Sequence, residues 1–300
     1  MAEYSFKMLP DLGLMPDQLE KLKAVAKGPT GVFLVTGPKK SGVTTTFYAL
    51  IRNHDPFLNN INTLEKRPAG EVPNITQNAF SLSDTGTTTY SKKFQSILRV
   101  GPDIVGVEHC EEKNVAKLAC AAARDGKIVY ATFETTSTVE AISKWINFVA
   151  DRNAAIDCVI GISNQRLVRK LCAQCRQPYE PNKELLRKHN IPADKITAFY
   201  KPGEPHYKRG KPVLCPHCQG TGFYGRTAVF ETIIFDDQIK QLLKQAKSMN
   251  DIAGIFRRAR MLYLQEQAIR KVAEGITSVN EVIQTLSASR EGAKKTQAKS

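Results

Sequence analysis

The ten residues from Gly37 to Thr46 read G-P-K-K-S-G-V-T-T-T. Glycines at this spacing let backbone N–H groups close around phosphate oxygens. A hydroxyl at the start of the following helix can face magnesium, and a lysine ordinarily carries positive charge to the outer phosphates. Gly37, Gly42 and Thr44 fill three of these places, with Ser41 and Thr45 beside them, but Val43 stands where the lysine belongs. An isopropyl group neither donates a hydrogen bond nor neutralises a triphosphate, so binding would rest on the amides, the helix dipole and a cation from elsewhere. Lys39 and Lys40 lie in the same loop and are the candidates for a relocated lysine. ATP and Mg²⁺ are thus expected to be held weakly or not at all.

Four of the seven cysteines form two C-x-x-C pairs, Cys172 with Cys175 and Cys215 with Cys218. In a reducing compartment such pairs point to metal rather than disulfides. Two knuckles supply four thiolates, which suits tetrahedral Zn²⁺ with every position filled, a structural site. The glycine-rich stretch Gly220 to Gly225 follows, as in a zinc ribbon, and the metal would staple an insertion too polar to hold its own core. His206 and His217 are alternative ligands, although His217 sits inside its own knuckle and is expected to face solvent. Cys110, Cys120 and Cys158 are expected to be small buried apolar residues.

These groups need a scaffold. Pro16 to Lys27 has proline in the first turn and Leu19, Leu22 and Val25 on one face, which predicts an amphipathic helix ending at Gly28. Gly31 to Thr36 is an apolar, β-branched strand run, and a helical pattern follows the loop from about Thr44 to Arg52. Strand-length runs recur at Asp103 to Val107 and Lys127 to Thr132 around the alanine-rich, helix-like Glu111 to Arg124. This alternation predicts a mostly parallel sheet covered by helices. Ile61 to Leu64 is expected to be a short strand, with irregular or antiparallel structure up to residue 90. Arg226 to Ile234 is expected to be another strand. From Asp236 onward the pattern is helical, with Ile239, Leu242 and Leu243 on one face, then Ile252 to Leu264, Ala268 to Ala273 and Val279 to Leu286. The expected divisions are a core over 1–165, a tetracysteine module over 166–235, a helical region over 236–288 and a disordered basic tail over 289–300.

With 300 residues, 33.3 kDa and 42% apolar residues, the chain can bury real cores, which excludes disorder over most of its length. No run approaches the roughly 20 apolar residues of a spanning helix, and the N-terminus lacks a signal-peptide core. The expected location is cytoplasmic, or peripheral at the inner face of the cytoplasmic membrane. A formal net charge of +14 favours polyanions without choosing among them. The basic clusters, at Lys208 to Lys211 and Arg257 to Arg260, are modest, so nucleic acid is not the expected partner.

The order of motifs resembles the C-terminal ATPase region of the type II secretion and type IV pilus assembly ATPases. It runs from the loop and Tyr48-Ala49 through Gln165 to Arg169, both cysteine pairs and Gly220 to Arg226, to Glu274 to Ser278. The resemblance implies a RecA-like P-loop core with a zinc-ribbon-like insertion and a helical C-terminal end, with only a stub of the family's N-terminal domain before Gly31. In that family the loop is G-P-T-G-S-G-K-T-T-T. The acidic box I-E-D-P becomes Leu64-Glu65-Lys66-Arg67, which keeps Glu65 as the implied general base. The magnesium-side box, D-P-D followed by four residues and G-E, becomes Gly101 to His109. Register there sets Glu108 at the glycine and His109, a poor hard-metal ligand, at the glutamate. A one-residue slip would bring Glu108 back as a catalytic candidate, whereas strand alternation is expected to turn it away. The histidine box T-L-H-T becomes Thr132-Phe133-Glu134-Thr135, and of two paired arginines Gln95 replaces the first while Arg99 keeps the second.

Loss of one transition-state donor costs ~10²- to 10³-fold in rate, so several altered stations together imply turnover near background. The expected function is that of a degenerate, catalytically impaired family member. It would be a structural or regulatory component of a secretion or pilus machine, in a ring, of six in the family, with active ATPases or their inner-membrane platform. Two alternatives stay open: a working ATPase using Lys39 or Lys40, and a module binding DNA or membrane headgroups.

Overall fold

Branched, apolar runs of strand length with no charge to place suit the middle of a sheet, and the chain uses them so. The computed structural model describes residues 6–81, 88–180, 184, 198–204, 206–208 and 210–287. They form two compact units. The first comprises Met1–Gln165 and Phe230–Met261, the second Arg166–Val229 and Leu262–Ser300.

The first unit is built on β1 (Gly31–Gly37), buried along its whole length. In order along the chain follow α2 (Val43–Ile51), β2 (Ile61–Glu65), β3 (Thr76–Ala79), α3 (Tyr90–Arg99), β4 (Ile104–Val107), α4 (Lys113–Arg124), β5 (Ile128–Glu134), α5 (Thr138–Val149), α6 (Arg152–Asp157) and β6 (Val159–Leu171). Before them stands α1 (Pro16–Lys27), with Pro16 in its first turn and Gly28 at its end. The sheet has seven strands in the order β11-β6-β1-β5-β4-β2-β3, where β11 is Phe223–Ile234. The ladders of β1 with β5 and β6, of β4 with β2 and β5, and of β2 with β3 are all parallel. Their C-terminal ends therefore share one edge, which gathers Gly37, Glu65, Glu134 and Asn164 with the residues after Val107.

Helix caps follow from sequence. Thr89, Ser137 and Asp151 each accept a backbone N–H from the first turn they precede. Close packing explains Gly106, because a Cβ there would lie 2.5 Å from Phe47 Cζ and 2.8 Å from Ile51 Cδ1 of α2. Trp145 is fully buried and donates its indole N–H to the Ala155 carbonyl at 2.8 Å.

Two expectations need correction. The stretch after Ile61–Glu65 is not antiparallel: Thr76–Ala79 pairs with β2 in parallel, Thr63 opposite Gln77. Ile252 to Leu264 is not one helix. Met249–Arg258 (α8) stops before Arg260, which takes a left-handed φ of 54°, and Leu264–Ala273 (α9) starts afresh with Glu266 accepting the Tyr263 N–H. The first compact unit also takes in Phe230–Met261. The end of β11 joins the main sheet and carries Asp237–Gln245 (α7) and α8 with it. Arg152 binds that segment directly, donating to the last carbonyls of α7 and its cap at Leu243 (2.8 Å), Lys244 (3.2 Å) and Ala246.

The second unit packs Val168, Phe199, Val229, Leu264, Ala268, Val272 and Val282 into its own core. Two small antiparallel pairs, β7 (Gln177–Tyr179) with β8 (Phe199–Lys201) and β9 (His206–Lys208) with β10 (Lys211–Val213), belong to it. Residues 279–287 are helical, and Glu281 is held there twice by Arg169. One carboxylate oxygen accepts the guanidinium at 2.6 and 2.9 Å, and the other accepts the Arg169 backbone N–H at 2.9 Å. The expected tail over 289–300 lies outside the described residues. No helix among those described is long and apolar enough to cross a membrane.

One titration follows from this packing. His54 contacts the buried Tyr130 hydroxyl at 2.7 Å, and burial lowers its pKa from 6.5 to about 4. Between those values the unfolded chain binds a proton that the folded chain refuses, so stability is full above pH 6.5 and declines as pH falls towards 4. After discounting for partial exposure, the loss is on the order of 1–2 kcal/mol. Thermal melts from pH 7 to 4.5 should show it, and His54→Gln should flatten that part of the curve.

Candidate functional site

The loop leaves the C-terminal end of the central strand and enters α2 through Gly42, whose φ of 86° is left-handed. Lys40 also takes a left-handed φ of 64°. Gly37 must lack a side chain, since a Cβ would lie 2.3 Å from Ser41 Oγ and 2.9 Å from the Gln165 carbonyl. Ser41 is buried, and its Oγ has no hydrogen-bond partner among the described residues. An orphaned hydroxyl inside a glycine-framed loop, at the start of a helix whose first amides lack intrahelical partners, is a cradle of the right chemistry for phosphate. The charge is elsewhere: Val43 opens the helix, half-buried, while Lys39 and Lys40 are both exposed. Thr44 and Thr45 follow in the first turn.

Thr44 Oγ1 donates to Glu108 Oε1 at 3.2 Å. Strand alternation, expected to turn Glu108 away, does the reverse. Gly106 faces Phe47 and Ile51 of α2, so the residue two positions on is carried to the same side, beside the N-terminus of that helix. No slip is needed. The strand ends at Val107, and His109, with φ of 51°, turns out to solvent. Burial drives the Glu108 carboxyl above its ordinary range; His109 opposes this, the neighbouring Glu65 adds to it, and the Thr44 bond opposes it. Thr44 and Glu108 are the pair that could face magnesium, a hard cation that favours oxygen ligands.

Glu65 is fully buried at the end of β2. Tyr48 and Thr63 donate to it, and Gln77 Nε2 adds a bond at 3.3 Å. The Tyr48 hydroxyl in turn accepts the Ala69 N–H at 3.1 Å, and burial together with Glu65 pushes the phenol well above its usual range. This carboxylate is thus enclosed by side chains of its own unit, while Lys66 beside it is exposed.

At the remaining stations Glu134 is exposed, its backbone N–H taken by Glu111 at 3.0 Å. Gln95 and Arg99 are exposed on α3. The structure adds two residues not singled out from sequence, one bonded to the loop and one to the end of β1. Gln165 Nε2 donates to the Ser41 carbonyl at 2.9 Å, and Asn164 Nδ2 donates to Thr36 Oγ1 at 2.9 Å and to Thr135 O and Oγ1 at 3.2 Å. Their position was recoverable in principle, because the strand flanking β1 in a parallel sheet must end beside the loop.

In the second unit the sulfurs of Cys172, Cys175, Cys215 and Cys218 all lie within 4.8 Å of one another. Cys172 to Cys215 is 3.9 Å and Cys175 to Cys218 is 3.6 Å. Four sulfurs at the ~2.3 Å bond length of a tetrahedral zinc centre sit about 3.8 Å apart, whereas a disulfide needs about 2.05 Å. The donor set and spacing therefore fit a metal ion. The Gly222 N–H donates to Cys218 Sγ at 3.3 Å, an orienting contact of the kind that steadies a thiolate ligand. His217 is exposed, with its ring against Tyr224, and Cys110, Cys120 and Cys158 are buried, as expected.

Comparison with known proteins sets this geometry in a family. The pilus retraction motor PilT with bound ADP has the same fold, with a TM-score of 0.64 at 16% identity over 95% of this chain and 68% of that one. The ATPase DotB of Legionella pneumophila gives 0.63 at 16% identity over 92% and 64%. The fold is thus a RecA-like P-loop α/β fold. In sequence, the type IV pilus assembly ATPase PilB of Thermus thermophilus is 32% identical over 275 residues, 92% of this chain and 30% of that protein. The type II secretion system protein HxcR of Pseudomonas aeruginosa is 29% identical over 92% of this chain and 52% of its own length. The chain thus spans about a third to a half of these relatives. The family described as type II/IV secretion system protein matches residues 2–284, and the chain belongs to it.

Proposed function

We propose that this chain is a secretion or pilus assembly ATPase relative that has lost efficient hydrolysis and serves as a structural or regulatory component of a type II secretion or type IV pilus machine. The observation that carries this reading is Val43 at the head of α2, with both loop lysines exposed. Glu134, an exposed carboxylate in place of the implied histidine, would repel a terminal phosphate rather than bind it. Glu65 is engaged by Tyr48, Thr63 and Gln77, which leaves it poorly placed to take a proton from water. Partners would be active ATPases of the same machine in a ring, at the cytoplasmic face of the membrane. The cysteine cluster holds zinc as a structural ion.

A second reading, a working ATPase with Lys39 or Lys40 turned inward, is favoured by the Thr44–Glu108 pair, which keeps a hydroxyl and a carboxylate together where magnesium would sit. Steady-state phosphate release with Mg²⁺-ATP separates the two. Release at the level of a blank is expected; turnover above it that vanishes in Glu108→Gln would establish the second reading instead.

A further inference from the structure

The last pair joining β4 to β2 sets Val107 opposite Leu64, and the Glu108 N–H still reaches the Leu64 carbonyl at 2.9 Å. There the ladder stops, because His109 takes its left-handed φ of 51° and turns the chain towards solvent. The Glu108 carbonyl thus lies beyond the last pair, and a carbonyl so placed must find a donor elsewhere. A side chain supplies it. The hydroxyl of Tyr90, the first residue of α3, donates to the Glu108 carbonyl at 2.5 Å and lies 3.1 Å from that of Leu64.

Tyr90 is well fixed for this task. It is 4% exposed, and its ring stands edge-on to Phe80 with centroids 5.2 Å apart. Burial, with Glu108 adding to it, drives the phenol far above its usual range, so the hydroxyl keeps the proton it donates. Residue 108 is therefore gripped by both backbone groups, the N–H by Leu64 and the carbonyl by Tyr90. Its carboxylate is left to meet Thr44 Oγ1 at 3.2 Å. Without the hydroxyl the carbonyl loses its donor, and the link between Glu108 and His109 gains by rotating towards another, which swings the carboxylate off Thr44.

We propose that Tyr90 is a positioning residue: by holding the Glu108 carbonyl it keeps the Glu108 carboxylate and the Thr44 hydroxyl together as oxygen ligands for a divalent cation of the magnesium class. The inference rests on the reading of that pair as the cation side of the loop. It is independent of whether ATP is hydrolysed.

The test titrates Mn²⁺, a paramagnetic stand-in for Mg²⁺, into the full chain without nucleotide and reads the unbound ion by its resonance signal. Saturable binding to the native chain is expected, and Glu108→Gln should remove it. Tyr90→Phe keeps the ring and loses only the hydroxyl, so it should weaken Mn²⁺ about tenfold, the lower end for groups that orient a ligand. The same change costs stability, which calls for a control. Trp145→Phe removes another buried donor from a backbone carbonyl of the same unit, Ala155 at 2.8 Å, and should lower the melting temperature while leaving Mn²⁺ affinity within about twofold. The proposal fails if Tyr90→Phe binds Mn²⁺ as tightly as the native chain while Glu108→Gln does not, and the reading of the ligand pair then survives without it. It fails too if Trp145→Phe weakens Mn²⁺ as much as Tyr90→Phe does, since Tyr90 would then serve stability alone. If no Mn²⁺ saturates, or Glu108→Gln leaves its affinity unchanged, the reading of the pair falls and this inference with it.

Discussion

Val43→Lys is expected to tighten Mg²⁺-ATP binding on the order of 100-fold, read by calorimetric titration against the native chain. The loop already has its glycine frame, the unsatisfied Ser41 hydroxyl and the Thr44–Glu108 pair. What it lacks is a cation at the first residue of α2. Two unit charges about 4 Å apart near a protein surface attract by about 4 kcal/mol, which dehydration of the ammonium and ordering of the side chain reduce by a third or more, leaving roughly two decades in affinity. Position 43 is half-buried, so a lysine stem has somewhere to go without displacing the core. Lys39→Ala with Lys40→Ala should change native binding by no more than about threefold, the scale of screened surface charges. If the double alanine abolishes tight native binding, a loop lysine already supplies the charge and the reading of an impaired member is wrong.

The second large effect concerns the metal. Purified protein is expected to hold one zinc per chain by elemental analysis, and Cys172→Ser should lose it. Cys172 is fully buried and Cys218 nearly so, so an unmetallated cluster leaves four thiols facing one another with little else to hold the two knuckles together. Structural zinc sites contribute about 10–16 kcal/mol of apparent binding free energy in isolated finger peptides. Here the unit also has the core around Val168, Phe199 and Val272, so the net loss should be several kcal/mol, a fall in its melting temperature on the order of 15 °C. A strong chelator should reproduce the effect in the native chain. A chain that is free of metal as purified and melts at the same temperature as Cys172→Ser would show that the knuckles hold without an ion.

How much of this was legible in the residues differs from place to place, for physical reasons. Pro16 and Gly28 bracket α1 because one lacks an N–H that a first turn does not need and the other ends the helical run, so both bounds could be read directly. Buried β1 was legible from its unbroken apolar run. Thr76–Ala79 was not: a four-residue polar strand with no buried residue has neither alternation nor hydrophobicity to betray it, and only pairing with β2 defines it. The side taken by Glu108 was misread because alternation was counted from His109, which motif register set at the glutamate. The clue was Gly106, a bare position in a branched strand, which marks where α2 comes closest. The four cysteines needed no such help, since ligand type and spacing are local. Gln165 reaches the loop, and Asn164 the end of β1, only because β6 lies next to β1, and that neighbour relation is a property of the sheet.

The second unit is assembled from two stretches of chain separated by residues of the first. On the ribosome, Val168, Phe199 and Val229 emerge well before Leu264, Val272 and Val282, the residues they must meet, and Arg169 emerges well before Glu281. Until then the knuckles have no core to lean on, and each nascent chain passes through an interval with exposed thiols and apolar surface. Zinc captured during that interval would shelter the thiols while the rest is synthesised, so metal supply during translation should govern how much protein folds as well as how stable the finished molecule is.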